Sequence, residues 1–253
     1  MLKGKKVLVA GAGGLLGSKL TAALLGEGAR VLVADINLSL MNERLLQQGV
    51  AENHPDVIRV SLDLNDTASV DNLFASLDDL DGAVNCTYPR NKRYGAKFEN
   101  VTLADFNENV SLHLGSSFLF MQQCAKYFER SRRPFSLVNI SSIYGVVAPK
   151  FEVYDDTPMT MPVEYAAIKS ALIHLSKYLA SYVASSDFRS NCVSPGGIFD
   201  HQPERFLAAY KQHTLGKGML DIKDVVGSVM FLLSDHASYV NGQNIVVDDG
   251  FSL

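Results

Sequence analysis

Short apolar runs alternate with longer amphipathic segments along most of the 253 residues. The runs are rich in valine, leucine, isoleucine and alanine, which is typical of parallel strands buried on both faces. The pattern predicts strands over residues 6–10, 30–34, 57–61, 82–86, 135–140, 188–193 and 244–247. It predicts helices over residues 15–27, 38–48, 66–77, 103–128, 162–184 and 221–233. This alternation predicts a doubly wound α/β fold with a mostly parallel sheet of seven strands.

Two segments interrupt the alternation. Residues 145–161 contain prolines and paired aspartates, and residues 198–220 are polar with a short helical stretch. Each follows a predicted strand at the edge where doubly wound sheets bind ligands, so both are predicted substrate loops. No repeat or linker divides the chain, so we predict one domain over residues 1–253.

Composition narrows the class of protein only slightly. The chain is 47% apolar with a net charge of −4, which favours neither nucleic acid nor anionic membrane as a partner. Its apolar runs fall short of the roughly 20 residues that cross a bilayer, and its start leads directly into a strand. We therefore expect a soluble, cytoplasmic protein. The three cysteines form no CxxC pair, and the histidines lack HxxxH or HExxH spacing, so no metal site is predicted.

A glycine-rich turn joins the first predicted strand to the first helix. Gly11, Gly14 and Gly17 follow a GxxGxxG spacing within that strand–turn–helix context. Residues without side chains let the backbone approach a pyrophosphate, and the helix N-terminus faces it with its positive end. The turn predicts a dinucleotide site in a Rossmann domain, although a tight turn that binds nothing would have the same residues.

Two carboxylates follow the next two strands. Asp35 can accept hydrogen bonds from the adenosine ribose hydroxyls, and it would repel a 2′-phosphate. Its neighbours Ala34 and Ile36 are not basic, which favours NAD over NADP. Asp63 is placed to contact the adenine. Each carboxylate has an alternative role as the cap of the helix that follows.

Tyr165 and Lys169 stand four residues apart within a predicted helix. This spacing puts a phenol and an ammonium on one helix face. A phenol has an ordinary pKa of about 10, which an adjacent cation and a cationic nicotinamide are expected to lower. Together with a dinucleotide site, the pair indicates hydride transfer with a proton relay through Tyr165.

Five motifs occur in the order of the short-chain dehydrogenase/reductase family, and the chain resembles that family over nearly its whole length. They are the glycine turn, Asn85, Asn139-Ile-Ser-Ser142, Tyr165-x-x-x-Lys169 and Ser194-Pro-Gly-Gly197. The resemblance implies that Ser142 holds the substrate oxygen, Tyr165 relays the proton and Lys169 binds the nicotinamide ribose. It also implies cofactor contacts from Leu15, Leu16, Leu64, Asn85, Pro195, Gly196 and Ile198.

The chain departs from that family in the central helix and in one spacing. The usual relay asparagine falls at His113 when the helix is aligned by Phe118, whereas Asn109 lies one turn earlier. Either residue can complete the relay, and His113 can equally be a core or interface histidine. Ser142 and Tyr165 lie farther apart than in the family's shorter branch, although the C-terminal part is similar to that branch.

A narrower likeness points to the oxidoreductases of bacterial flagellin modification and nonulosonic-acid synthesis. It is carried by Pro158-Met-Thr160, His201-Gln-Pro-Glu204 and residues 241–253. Arg90 and Arg93 in the loop after strand four, and Arg205 in the second variable loop, suit an anionic small molecule such as a sugar phosphate, nucleotide sugar or acidic amino sugar. Solvated surface charge is the alternative for each residue.

The leading hypothesis is therefore an NAD-dependent oxidoreductase that acts on a hydroxyl or keto group of an anionic sugar. The alternatives are a sugar epimerase or dehydratase that retains its NAD, and a non-catalytic NAD-binding partner protein. The family resemblance also implies a homodimer or homotetramer that pairs through the helical regions 103–128 and 162–184.

Overall fold

The computed structural model describes residues 1–253 and contains one sheet of seven strands. All strand pairs are parallel, in the order β3-β2-β1-β4-β5-β6-β7. The strands are β1 Lys6–Ala10, β2 Arg30–Asp35, β3 Val57–Ser61, β4 Gly82–Asn85, β5 Phe135–Ile140, β6 Phe188–Pro195 and β7 Asn244–Val247. The predicted doubly wound fold is confirmed, with every strand within two residues of its predicted bounds.

Eight α-helices connect and cover the strands. They are α1 Leu15–Gly26, α2 Leu38–Gln47, α3 Thr67–Ala75, α4 Leu103–Asn109, α5 Ser116–Ser131, α6 Val163–Val183, α7 Glu204–Lys211 and α8 Ile222–Leu233. None of them combines the length and the hydrophobicity needed to span a bilayer.

The sheet separates two hydrophobic cores. Successive residues of β1 alternate between them: Val7 and Val9 pack with α1, α2 and α8, whereas Leu8 and Ala10 pack with α3, α5 and α6. Strand side chains point alternately to the two faces, so a strand buried on both faces is mostly apolar, as β1 is. This is why the central strands could be identified from sequence.

The predicted helix over residues 103–128 is interrupted. A wider π-helical segment, Val110–Gly115, joins α4 to α5, and His113 is buried within it. Such segments often mark functional sites, because the extra residue redirects side chains and frees backbone groups. Hydrophobic periodicity barely registers one extra residue, so the sequence predicted an uninterrupted helix.

The two predicted substrate loops follow β5 and β6 at the carboxyl edge of the sheet. The first contains the 3₁₀ turn Phe151–Tyr154, and the second contains α7. They pack together through a small third core, whose fully buried members are Ile143, Tyr144, Val153, Phe206, Tyr210 and Phe251. The loops therefore form a structured wall beside the end of β5.

Candidate active site

The glycine turn lies where the strand order reverses, because β1 pairs with β2 on one side and β4 on the other. Gly11 has φ of +79°, a conformation that glycine adopts without steric cost. A Cβ there would lie 2.9 Å from the backbone of Cys86. The turn is thus packed directly against the end of β4, at the position where doubly wound sheets bind ligands.

The start of α1 has room for a phosphate group. Gly14 is its N-cap and provides no side-chain cap, so the first-turn N–H groups of Leu15, Leu16 and Gly17 lack an intrahelical acceptor. A Cβ on Gly17 would lie 2.2 Å from the Gly11 carbonyl oxygen. The backbone cradle and the free N–H groups fit the pyrophosphate of a dinucleotide.

A pocket of about 240 Å³ beside the turn is lined by Gly11, Asp35, Asp63 and Leu64, which are among the proposed cofactor contacts. The Asp35 carboxylate accepts hydrogen bonds from the backbone N–H of Gly13 (2.9 Å) and of Asn37 (3.0 Å). Neither carboxylate is a helix N-cap, because Asn37 caps α2 and Asp66 caps α3. The alternative role of Asp35 and Asp63 as caps is therefore wrong.

A larger cavity of about 670 Å³ opens beside the ends of β4, β5 and β6. Ser142, Tyr165 and Lys169 line it together, although they come from two separate elements. The other predicted cofactor contacts in its wall are Leu16, Pro195, Gly196 and Ile198. Asn85 lines neither cavity: its amide donates to Ser117 Oγ (3.1 Å), and its carbonyl oxygen accepts from Thr87 N (3.1 Å).

Lys169 is buried beneath the catalytic tyrosine candidate. Its Nζ donates to the Ile140 carbonyl oxygen (2.8 Å) and lies 5.5 Å from the centre of the Tyr165 ring. Ser141 donates its hydroxyl to the Lys169 carbonyl oxygen (2.7 Å), which turns that serine into the core and leaves Ser142 as the serine of the cavity wall nearest Tyr165. An ammonium has three donors, so Lys169 retains capacity for ribose hydroxyls.

Burial raises the pKa of Tyr165 above its ordinary value, and the nearby phenols of Tyr88 and Tyr144 raise it further. Only the Ser142 hydroxyl acts in the opposite direction. The expectation of a lowered Tyr165 pKa is therefore wrong for the protein without cofactor, because loss of hydration outweighs the hydrogen bond from Ser142. In this state Tyr165 holds its proton and can donate it.

Burial also lowers the pKa of Lys169, to about 8 from an ordinary 10.5. The unfolded chain binds more protons between those values, so this group makes stability rise as the pH increases from about 8 to 10.5. Below pH 8 the buried charge is destabilising, by at most about 3 kcal/mol.

We expect Lys169→Met to increase the free energy of unfolding at pH 7 by about 1–2 kcal/mol, because removing the buried charge outweighs the loss of the hydrogen bond to the Ile140 carbonyl. The gain should shrink as the pH rises toward 10. Urea unfolding at pH 7 and pH 10 measures it, with Lys177→Met, an exposed change on the same helix, as control. Lower stability at pH 7 than wild type would contradict this account.

His113 and Asn109, the two candidates for the proton relay, make different contacts in the structure. The His113 ring contacts the Tyr88 ring edge-on at 5.3 Å between centres, and burial with the nearby Lys169 charge lowers the pKa of His113 to about 2. His113 is therefore neutral and lies on the Lys169 side. Asn109 is instead bonded to Asn91 and Glu164, away from the lysine.

The three arginines predicted to bind substrate lie in different surroundings. Arg90 lines the large cavity, and its guanidinium lies 5.0 Å from the centre of the Tyr88 ring. Arg93 pairs with Asp105 (3.0 Å), and Arg205 pairs with Asp156. Neither lines the cavity, and a local carboxylate pairs with each, so Arg90 is the one of the three that the cavity wall contains.

Besides Tyr165, aromatic residues that the sequence did not single out make up much of the cavity wall. Six of the ten tyrosines line the cavity: Tyr88, Tyr94, Tyr144, Tyr154, Tyr165 and Tyr210. Arg90 and Lys169 are its only charged residues, and no aspartate or glutamate lines it. The sequence hint was that the five tyrosines other than Tyr165 lie in the segments that follow β4, β5 and β6.

Comparison with known proteins agrees with this geometry. A family model described as enoyl-(acyl carrier protein) reductase matches residues 11–252. The chain belongs to the short-chain dehydrogenase/reductase family and is an oxidoreductase of that class.

The relatives extend over whole chains. The post-translational flagellin modification protein A of Campylobacter coli is 36% identical over 261 residues, which cover 100% of both chains. A short-chain dehydrogenase of Leptospira borgpetersenii, solved with bound NAD+, is 32% identical with a TM-score of 0.87, covering 100% of this chain and 94% of the other. The 7alpha-hydroxysteroid dehydrogenase of Bacteroides fragilis is 26% identical, covering 98% and 95%.

Proposed function

We propose that this chain is an NAD-dependent dehydrogenase or reductase that acts on a hydroxyl or keto group of an anionic sugar derivative in flagellin glycan synthesis. The observation that carries this proposal is the cavity wall, which combines six tyrosines with two cations and no carboxylate. Aromatic rings with hydroxyl groups suit a sugar, and the Arg90 guanidinium suits its acidic group. The flagellin-modification relative supports the biological setting.

Tyr165, Ser142 and Lys169 would carry the chemistry. Bound NAD+ would accept a hydride from the carbinol carbon in oxidation, and bound NADH would supply one to the carbonyl carbon in reduction. The Tyr165 phenol donates its proton to a carbonyl oxygen in reduction, and takes the hydroxyl proton in oxidation. The Ser142 hydroxyl holds that oxygen, and Lys169 stabilises phenolate while its remaining donors bind the ribose. Neutral His113 lies near Lys169, and in this proposal it would pass a proton onward.

Asp35 supports the choice of NAD. It lines the adenosine pocket beside Ile36, and neither residue would bind the 2′-phosphate of NADP. We expect calorimetry to give at least about tenfold tighter binding of NAD than of NADP, since a 2′-phosphate there would meet a carboxylate without a cation. Equal affinity would contradict this assignment.

Arg90 is the proposed anchor for the acidic group. Its guanidinium stacks on Tyr88 and has no carboxylate partner. We expect Arg90→Ala to raise KM for the anionic substrate about 10- to 100-fold with little change in kcat, because a charge-assisted hydrogen bond is lost. Lys92→Ala, an exposed change in the same loop outside the cavity wall, is the control.

The assay follows reduced cofactor with D-glucose 6-phosphate, D-glucuronate, N-acetylneuraminate and UDP-N-acetylglucosamine, against neutral D-glucose. Turnover confined to anionic sugars, with Arg90-dependent KM, would support the proposal. Turnover of the neutral sugar at the same KM would contradict it. NAD that co-purifies and is never turned over would instead favour an NAD-retaining epimerase.

We also propose that two copies pair through α5 and α6. These helices expose large side chains, including Phe118 (49%), Tyr178 (61%) and Tyr182 (69%). Exposed apolar and aromatic groups on neighbouring helices are typical of a subunit interface. Light scattering should give at least twice the 27.6 kDa chain mass, and Phe118→Asp should reduce it; a monomer would contradict the pairing.

A further inference from the structure

A buried polar network connects the catalytic helix to the loop that carries Arg90. Asn109, at the end of α4, is 1% exposed, and so is Glu164, in the first turn of α6. The Asn109 amide donates to Glu164 Oε1 (3.3 Å) and to Asn91 Oδ1 (3.2 Å). In return, the Asn91 backbone N–H donates to Asn109 Oδ1 (2.9 Å). We call Asn91, Asn109 and Glu164 the Asn109 network.

The network determines where the loop after β4 lies. Asn91 also donates to Glu108 Oε2 (2.7 Å) and accepts from the Arg93 N–H (3.0 Å), so its whole side chain is engaged. Arg90 is the residue directly before Asn91, and its guanidinium rests on Tyr88. The backbone on one side of Arg90 is therefore tied to α4, while its side chain is packed against a ring that contacts Tyr165 edge-on at 5.6 Å.

Stability alone does not account for Glu164. Its second carboxylate oxygen, Oε2, is buried without a hydrogen-bond partner, and no cation pairs with the group. An unsatisfied buried carboxylate oxygen is costly, and a neutral or apolar side chain of similar volume is often as stable. A role in positioning gives this carboxylate a reason to be here, next to Tyr165 in the chain.

We propose that Asn109 and Glu164 are positioning residues for substrate recognition. They hold the Arg90 loop against the first turn of α6, so that the anionic end of the substrate meets Arg90 at a set distance from the Tyr165 hydroxyl. This inference rests on the proposed function, because it needs Arg90 to bind the acidic group. It assigns Asn109 to the loop rather than to the proton relay.

The first test needs no substrate. Hydrogen exchange of the peptide over residues 88–97 reports two backbone N–H groups of the loop. That of Asn91 donates to Asn109 Oδ1, and that of Arg93 donates to Asn91 Oδ1. We expect Asn109→Ala and Glu164→Leu to increase exchange there about tenfold or more, since local opening then requires fewer bonds to break. Glu164→Gln keeps an acceptor for Asn109 and should stay close to wild type. Asn107→Ala, exposed on the same helix, is the control.

The second test measures the consequence for Arg90. Inorganic phosphate is titrated by calorimetry into protein saturated with NADH, which blocks the pyrophosphate site, and KM is measured for each anionic sugar that turns over. Asn109→Ala should weaken phosphate binding and raise KM by about tenfold, with kcat and NAD affinity within about twofold. A double variant that combines Asn109→Ala with Arg90→Ala should have the same phosphate affinity and the same KM as Arg90→Ala alone.

The outcomes separate the two proposals. If Arg90→Ala changes neither phosphate affinity nor KM, the anionic-substrate function fails. If Arg90→Ala weakens both but Asn109→Ala does not, or if exchange over residues 88–97 is unchanged, the positioning role fails while the function stands. Additive losses in the double variant would also overturn it, because the network would then act independently of Arg90.

Discussion

Tyr165→Phe should lower kcat by about 10³- to 10⁴-fold while NAD binding stays within about threefold of wild type. The change removes one oxygen, the only group at the cavity wall beside both Ser142 and Lys169 that can carry the substrate proton. Burial raises the pKa of this phenol in the protein without cofactor, so it starts protonated. The measurement is steady-state turnover of reduced cofactor, with calorimetry for NAD.

Tyr154→Phe is the matched control. This tyrosine lines the same cavity, and its hydroxyl donates to the Tyr144 hydroxyl (3.2 Å) rather than toward Lys169. We expect only a few-fold change in kcat, since one neutral hydrogen bond contributes about 1 kcal/mol. Comparable losses in the two variants would mean that the phenols act on packing, and Tyr165 would lose its assigned role.

In Gly17→Ala, we expect no detectable binding at micromolar to millimolar concentrations of NAD. We also expect the free energy of unfolding to fall by about 1–3 kcal/mol. The added methyl group would lie 2.2 Å from the Gly11 carbonyl oxygen and 2.9 Å from Ala12 Cα. Both are backbone atoms of the turn, so the cradle itself must move. Calorimetry with NAD and urea unfolding measure the two effects.

Gly26→Ala tests the same substitution at the other end of the same helix. Nothing lies within 4 Å of a Cβ at Gly26, and its φ is not in the left-handed region. Because alanine is the better helix former, we expect a gain of about 0.5–1 kcal/mol and unchanged NAD affinity. Retained NAD binding in Gly17→Ala would show that the turn does not hold the pyrophosphate.

Features that depend on neighbours in the chain were predictable. Short runs rich in β-branched and other apolar residues identify the strands, and β1, β3, β5 and β7 have their predicted bounds. The glycine turn and the Tyr165–Lys169 spacing are also local, because one is set by backbone conformation and the other by the helical repeat. Residue order along the chain therefore determined the fold class, the turn and the face that carries phenol and ammonium.

Charge and burial were decided only in the folded chain. The sequence does not distinguish Arg90, Arg93 and Arg205. In the folded chain, Arg93 and Arg205 form ion pairs with nearby carboxylates, and Arg90 is the one of the three that lines the cavity. The Tyr165 pKa moves upward because desolvation depends on how many atoms surround the phenol, which no spacing encodes.

In the central helical region, the sequence pattern predicted the helix, but the folded chain decided where its side chains lie. Its apolar period predicted a helix, yet a single extra residue turns His113 toward Tyr88 and leaves Asn109 bonded to Asn91 and Glu164. Glu164 resembles an ordinary solvated first-turn acid in the sequence, but the folded chain buries it beside Asn109. Local patterns determined the elements of this protein and their chemistry, whereas contacts between distant segments decided which side chains share a cavity, because burial and pairing arise only when those segments meet.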